Sequence, residues 1–136
     1  MSPEPPLRAV AVAVVRRDGR VLVQSRPAGR DWPGFWEFPG GKCEPGESAA
    51  ACAERECREE LALPVRALSL LHETEWTYPG VRVHIHFVNC DLLDPATEPQ
   101  PRESQRILWA TREDLAQLEF LPANAEFLQR LRSELP

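Results

Sequence analysis

The sequence contains no apolar run approaching the roughly 20 residues that a membrane-crossing helix needs, so a helical membrane protein is excluded. It has no surplus of positive charge either. Sixteen Lys and Arg stand against 21 Asp and Glu, a net of −5. Polymeric nucleic acid needs a basic face that displaces counterions, so DNA and RNA are set aside as partners. A small anionic ligand is not set aside, because a bound divalent cation inverts the local field. No Cys-x-x-Cys pair occurs among Cys43, Cys52, Cys57 and Cys90, which removes the usual zinc spacing. Cys52 and Cys57 read as small buried hydrophobes, and reduced thiols suit the cytosol. The opening Met1-Ser2-Pro3-Glu4-Pro5-Pro6 has neither the basic start nor the apolar stretch of a signal peptide. Residues 1–6 are expected to be a disordered lead-in, residues 7–136 a single domain, and the location cytoplasmic.

The chain does have enough apolar residues, 43% of 136, for one hydrophobic core without a metal or disulfide staple. Ala9 to Val15 is a continuous apolar run and predicts a buried strand. Asp18-Gly19 is a hairpin turn signal, with Val21-Leu22-Val23 returning. A Pro- and Gly-containing loop leads to Trp36 and Phe38 around Glu37, and Pro39-Gly40-Gly41 is expected to break that strand. Ser48 to Leu61 is rich in Ala, Glu and Arg, and Ala50, Ala53, Cys57 and Leu61 form an apolar helical stripe. Strands are predicted over Leu68 to Glu75 and Val81 to Val88, then a proline-rich loop from Asp94 to Pro101. Ile107-Leu108-Trp109 is a short strand, Thr111 to Asp114 a capping box with Asp in place of Glu or Gln, and Pro122 to Leu135 a final amphipathic helix. There is no repeat. Without regular β-α alternation the class is α+β, arranged as an α/β/α sandwich with a mixed central sheet.

Glu56, Glu59 and Glu60 fall at i, i+3 and i+4, so a helix gathers three carboxylates on one face. Like charges at that spacing repel by roughly 0.2–0.5 kcal/mol per pair. A hard divalent cation resolves the conflict, since Mg²⁺ takes oxygen ligands and is shared with substrate phosphates. A merely solvated acidic face is the alternative on spacing alone. Pro39-Gly40-Gly41 and Pro45-Gly46 allow sharp turns and close backbone approach, and amides exposed there can bind phosphate oxygens.

Gly41, five residues, Glu47, seven residues, then Arg55-Glu56-Cys57-Arg58-Glu59-Glu60-Leu61-Ala62-Leu63 resembles the Nudix box. Every charged position matches. Cys57 stands for an aliphatic residue and Ala62 for the glycine that ends the helix. If that backbone is left-handed, alanine costs on the order of 1 kcal/mol.

The resemblance implies a Nudix-type fold and Glu56, Glu59 and Glu60 as ligands to Mg²⁺, with Mn²⁺ a possible substitute. Glu47 would be a further ligand through water or a loop brace, and Arg55 would orient a catalytic glutamate. The segment Trp36 to Lys42 is similar to that of MutT-like pyrophosphohydrolases. This places Gly40 at the metal and Gly40, Gly41 and Lys42 against substrate. Glu103, six residues before Trp109, matches a distal glutamate that serves as an extra ligand or base; Glu59 and Glu103 are the candidate general bases. Pro122-Ala123-Asn124 resembles a segment whose asparagine reads an oxidised guanine, although Asn124 could instead cap a helix. Arg26, Phe38 and Arg82 align with other pocket positions, Arg82 only across a one-residue insertion, and Phe38 is equally consistent with the core. His84 and His86 share the face of Arg82. They could bind a transition metal or line the pocket, and without a third ligand a pocket wall or a hydrogen-bonded histidine is favoured.

The implied activity is hydrolysis of a nucleoside triphosphate to monophosphate and pyrophosphate, with an oxidised purine such as 8-oxo-dGTP as substrate. The alternatives are a (d)CTP or other pyrimidine nucleotide hydrolase, or a catalytically silent nucleotide-binding module. The motif of NADH-cleaving relatives is absent. The sequence leaves monomer or homodimer open.

Overall fold

A computed structural model describes residues 4–136. Seven strands form one mixed sheet: β1 (Leu7–Arg17), β2 (Arg20–Ser25), β3 (Trp36–Glu37), β4 (Gly40–Lys42), β5 (Val65–Tyr78), β6 (Val81–Leu92) and β7 (Ile107–Ala110). The helices are α1 (Ala49–Leu61), α2 (Arg112–Gln117) and α3 (Ala125–Glu134). The main strand order is β3-β2-β1-β6-β5, with β4 added to β1 and β7 to β2. Only the β1–β6 pairing is parallel.

β1 is central and buried on both faces, as its unbroken apolar run requires. Val12 and Val14 belong to the core under α2 and α3, with Phe38, Phe87, Phe127 and Leu131. Ala11, Ala13 and Val15 belong to the core under α1, with Cys52, Ala53, Cys57 and Leu61. The expected α/β/α layering is therefore present. Ala11 and Ala13 meet Cys52, Ala53 and Cys57, all fully buried, so small residues on both sides let α1 lie close to the sheet. Cys57 fits its position because it is only required to be small and apolar. All four thiols are free.

Asp18 and Gly19 both have positive φ, 53° and 75°, the signature of a type I′ hairpin turn. Pro39-Gly40-Gly41 is not the open loop expected. Gly40–Lys42 forms β4, with Gly40 opposite Val12 and Gly41 opposite Ala11. A Cβ on Gly40 would lie 2.6 Å from Val12 Cα, so the close strand approach itself demands glycine. β5 begins at Val65, earlier than its apolar pattern suggests, and is irregular between Ala67 and His72 where the pairing register shifts. The last helix is shorter than expected: Pro122–Asn124 is a 3₁₀ turn before α3. The capping box at Thr111 and Asp114 is present in both directions. Of the anticipated lead-in, residues 1–3 lie outside the described residues, while Pro5 and Pro6 are not loose: their carbonyls accept from Arg82 at 3.1 and 3.0 Å. No helix among the described residues is long and apolar enough to cross a membrane.

The α1 C-terminus anchors the long loop that follows β6. Gln100 N–H donates to Leu61 O at 2.7 Å and Arg102 N–H to Glu60 O at 3.1 Å. These bonds satisfy carbonyls that a helix end leaves without partners, and they bring Glu103 toward α1. α1 itself ends on Ala62 with φ 50° and ψ 37°. Its N–H donates to Arg58 O and that of Leu63 to Cys57 O, at 3.0 and 3.2 Å, a Schellman motif that favours glycine. Ala62→Gly is expected to stabilise the protein by about 0.5–1 kcal/mol, raising Tm by a few degrees in a thermal melt, because relief of the left-handed strain outweighs the added unfolded-state entropy.

Candidate active site

The helix start is set by Ser48, whose hydroxyl accepts from Ala51 N–H at 3.1 Å. That start directs Arg55, Glu56, Glu59 and Glu60 along the flank of α1 that faces β4 and β2. Arg55 uses all five of its guanidinium N–H groups. Nε and Nη2 donate to the two oxygens of Glu47 at 2.8 and 2.9 Å. Nη1 donates to Glu56 at 3.0 Å and Glu59 at 3.1 Å, and Nη2 reaches Lys42 O at 3.0 Å. One cation thus joins the loop before α1, the helix and β4.

Glu47 also accepts from the Glu44 N–H at 2.9 Å. The hydrogen bond from Arg55 and that backbone donor hold its carboxyl at about 2. Both its oxygens are engaged and it does not line the cavity described below, so its geometry is that of a loop brace.

Glu60 is treated differently by the fold. It is buried at 8% exposure and accepts from Gln24 Nε2 at 2.7 Å. Burial pushes its carboxyl up to about 9, with Glu37 and Glu56 adding to the effect. Gln24 is itself held by Gln105, whose Nε2 donates to Gln24 Oε1 at 3.4 Å and to Glu60 O at 3.3 Å. Glu37, opposite Gln24 in the sheet, is raised by burial as well, against the opposing effect of Arg26, which donates to it at 2.9 Å.

Glu56, Glu59, Glu60 and Glu103 line one cavity of about 1270 Å³ together with Gly40, Gly41, Lys42, Arg26, Phe38 and Asn124. Among the described residues the three helical carboxylates do not bring their oxygens within 4.8 Å of one another. Arg55 holds Glu56 and Glu59, and Gln24 holds Glu60, whose carboxyl stays within hydrogen-bonding reach of Glu56. Gly41 is the wall against Glu56: a Cβ there would lie 2.8 Å from its carboxylate. Glu103 reaches the cavity rim on the anchored loop and pairs with Arg30 at 2.8 Å.

At the other end of the cavity, Asn124 is buried and its amide donates to Leu121 O at 3.2 Å. It makes no capping bond to α3, so the helix-cap reading is withdrawn. Among the described residues its side-chain oxygen has no hydrogen-bond partner. Tyr78 OH accepts from the neighbouring Ala123 N–H at 3.4 Å, and Trp32 stands edge-on to Tyr78 at 5.9 Å. Arg82 does not belong here. Strand alternation turns Val81, Val83 and Ile85 into the cavity and Arg82 to the opposite face, where it pairs with Glu4 at 3.4 Å and Glu75 at 3.8 Å. His84 and His86 lie on that opposite face too, so they are not a pocket wall; they are hydrogen-bonded histidines, His84 to Glu73 at 2.9 Å and His86 to the Val10 carbonyl at 3.1 Å.

The NUDIX domain family model matches residues 5–131. The chain belongs to the Nudix family. The CTP pyrophosphohydrolase of Escherichia coli K12 is 33% identical over 120 residues, 88% of this chain and 87% of that protein. The 8-oxo-dGTP diphosphatase of Haemophilus influenzae is 30% identical over 126 residues, 92% and 91% of the two chains. The solution structure of the E. coli ORF135 protein superimposes with a TM-score of 0.80 at 30% identity, covering 97% of this chain and 94% of the other. The Nudix chain is thus an enzyme acting on phosphorus-containing acid anhydrides.

Nudix hydrolases work with divalent metal ions, and the donors here fit one. The cavity offers carboxylate oxygens without thiolate or imidazole, the choice of a hard cation. Glu60 is buried beside Glu56 and Glu37 with the neutral amide of Gln24 as its side-chain donor, a setting whose charge a cation would compensate. Sequence reading overlooked Gln24, Glu37, Trp32 and Tyr78. Glu37 was flagged only as the residue between two aromatics. Its link to Glu60 runs through Gln24 on another strand, which no local pattern displays.

Two outcomes are expected. With metal removed by EDTA, Glu60→Gln should become progressively more stable than the parent as pH rises from 4.5 toward about 9, by at most roughly 1.4 kcal/mol per pH unit. The sign follows because the fold holds the neutral form and loses stability where ionisation is forced; melts across that range check it. Gly41→Ala should leave Tm within about a degree, since only the far end of Glu56 must move, yet lower turnover roughly 10- to 100-fold by displacing that carboxylate.

Proposed function

We propose that this Nudix enzyme hydrolyses a nucleoside triphosphate to the monophosphate and pyrophosphate, with Mg²⁺ as its usual ion and Mn²⁺ as a substitute. The observation that carries the reading is one cavity with carboxylates at one end, basic side chains beside them, and an aromatic pair with a buried amide at the other. Glu56, Glu59 and Glu60 would hold the metal, joined by Glu103 and the Gly40 carbonyl. A divalent ion bound there neutralises phosphate charge and lowers the pKa of the attacking water.

The protein's own groups do the rest. Lys42, Arg26 and Arg30 offer positive charge to the phosphates, with Gly40 and Gly41 allowing close approach. Arg55 holds Glu56 and Glu59 in register by ion pairing. Glu59 and Glu103 are the more exposed carboxylates and the candidates to take the water's proton. Trp32 and Tyr78 supply apolar surface for a base, with Phe38 packed in the core behind them, and Asn124 presents its side-chain oxygen and the second hydrogen of its amide to the base edge.

An oxidised purine such as 8-oxo-dGTP is the favoured substrate because of Asn124. A cytidine triphosphate is the second reading, favoured by the 33% identity to a CTP pyrophosphohydrolase. The free thiols support a cytoplasmic location.

A turnover panel of 8-oxo-dGTP, normal nucleoside triphosphates, (d)CTP, ADP-ribose and dinucleotides with Mg²⁺ and Mn²⁺ decides between them. Pyrophosphate release should require metal and fall by about 100-fold or more in Glu56→Gln. Asn124→Ala should reorder the bases while leaving the metal dependence intact; an unchanged order removes Asn124 from base recognition. Retained turnover in Glu56→Gln at saturating metal overturns the ligand assignment.

A further inference from the structure

β6 presents a different chemistry on each face. Val83 and Ile85 face the cavity, while His84 and His86 share the face of Val88 and Cys90, the side covered further along by α1. The antiparallel neighbour β5 sets Glu73 opposite His86 and Glu75 opposite His84. Glu73 Oε1 lies 2.9 Å from His84 Nε2 and 3.5 Å from His86 Nε2. The two imidazoles stack at 4.5 Å with an interplanar angle of 5°. Ligand atoms of all three residues lie within 4.8 Å of one another.

His86 Nδ1 stands 3.1 Å from the Val10 carbonyl. A carbonyl only accepts, so Nδ1 carries a hydrogen, and that bond holds the ring with Nε2 on the side of Glu73. A carboxylate oxygen and an imidazole nitrogen 3.5 Å apart are bridged either by a proton or by a metal ion. In a tetrahedral site with bonds of about 2.0–2.2 Å, ligand atoms stand roughly 3.3 Å apart. The separations of 2.9 and 3.5 Å from Glu73 fall on either side of that spacing, and a turn of the His84 ring out of its stack on His86, whose own ring is held by Val10, would aim both Nε2 atoms at one ion. The side chains are partly exposed, 35% for His84, 21% for His86 and 46% for Glu73, leaving a path for an ion and its water.

We propose that Glu73, His84 and His86 form a second metal site, on the sheet face opposite the nucleotide cavity, for a transition-metal dication of the Zn²⁺ class. Imidazole ligands select such an ion over Mg²⁺. The ion ties β5 to β6 and, through His86 and Val10, to β1, so its role is to fasten the sheet edge.

Zn²⁺ titrated into the full chain at pH 7.5 with excess Mg²⁺ tests this. Isothermal calorimetry, Tm and the ring ¹⁵N resonances of the histidines are the readouts. His72, the third histidine of the chain, is the internal control. One equivalent of Zn²⁺ should shift the Nε2 resonances of His84 and His86, spare His72 and raise Tm. The double variant His84→Gln/His86→Gln should lose that equivalent, and Glu73→Gln should weaken it about tenfold or more. Mg²⁺-supported turnover without Zn²⁺ should be unchanged in all of them. Resonances of His84 and His86 that stay put at saturating Zn²⁺, or uptake at parental affinity by a double variant with the parental Zn²⁺-free Tm, overturn the proposal.

Discussion

The geometry of the catalytic end depends on the guanidinium of Arg55. Three carboxylates sit on the same side of α1 and its preceding loop, and their mutual repulsion would splay them or unwind the helix. Arg55 answers this with a planar fork whose every N–H meets an oxygen. Lysine could not substitute, because a compact ammonium has three donors and no fixed plane. Through the Lys42 carbonyl the same fork fastens β4 to the helix, so Gly41 and Glu56 are held in contact. The cation that stabilises the helix is therefore also what sets the carboxylates beside the cavity.

The rest of the fold serves to bring α1 down to the level at which Arg55 can reach β4. Ala11 and Ala13 under Cys52, Ala53 and Cys57 allow the close approach. Larger side chains on either partner would lift the helix and draw Glu56 and Glu60 away from β2. Gly40, packed against β1, imposes the same restriction from below. The loop after β6 is pinned to the last carbonyls of α1, and so Glu103 enters the cavity from a segment with no regular structure of its own.

Most of the fold was legible from residues alone because it follows from periodicity and turn chemistry. β1 announced itself as an apolar run, its hairpin as Asp18-Gly19, and α1 as a stripe of which Ala53, Cys57 and Leu61 are buried while Ala50 is exposed. Helical spacing also placed Glu56, Glu59 and Glu60 on one flank, and that flank lines the cavity. Three features escaped. Gly40-Gly41 read as an open turn because glycine signals freedom locally, whereas here close strand packing requires it. Glu60 and Glu37 are joined only through Gln24, a contact between elements far apart in the chain. Arg82 was aligned into the pocket across a one-residue insertion, and in a strand one residue reverses the face.

That last error shows how the sheet divides its work. The period of two along β6 sends apolar residues into the cavity, where a nucleotide needs a smooth wall, and polar residues to the far side. On that side Arg82 is occupied by acidic partners and the Pro5 carbonyl. His84 and His86 instead converge with one carboxylate from β5. The two faces share a backbone, and Val10 belongs to both: its side chain lines the cavity while its carbonyl fixes the His86 ring. A change in how tightly β5, β6 and β1 are fastened on the histidine face would act on the cavity through Tyr78, Val83, Ile85 and Val10, which those strands carry to its wall. The coupling requires no rearrangement of α1, because the helix and its carboxylates are anchored independently by Arg55.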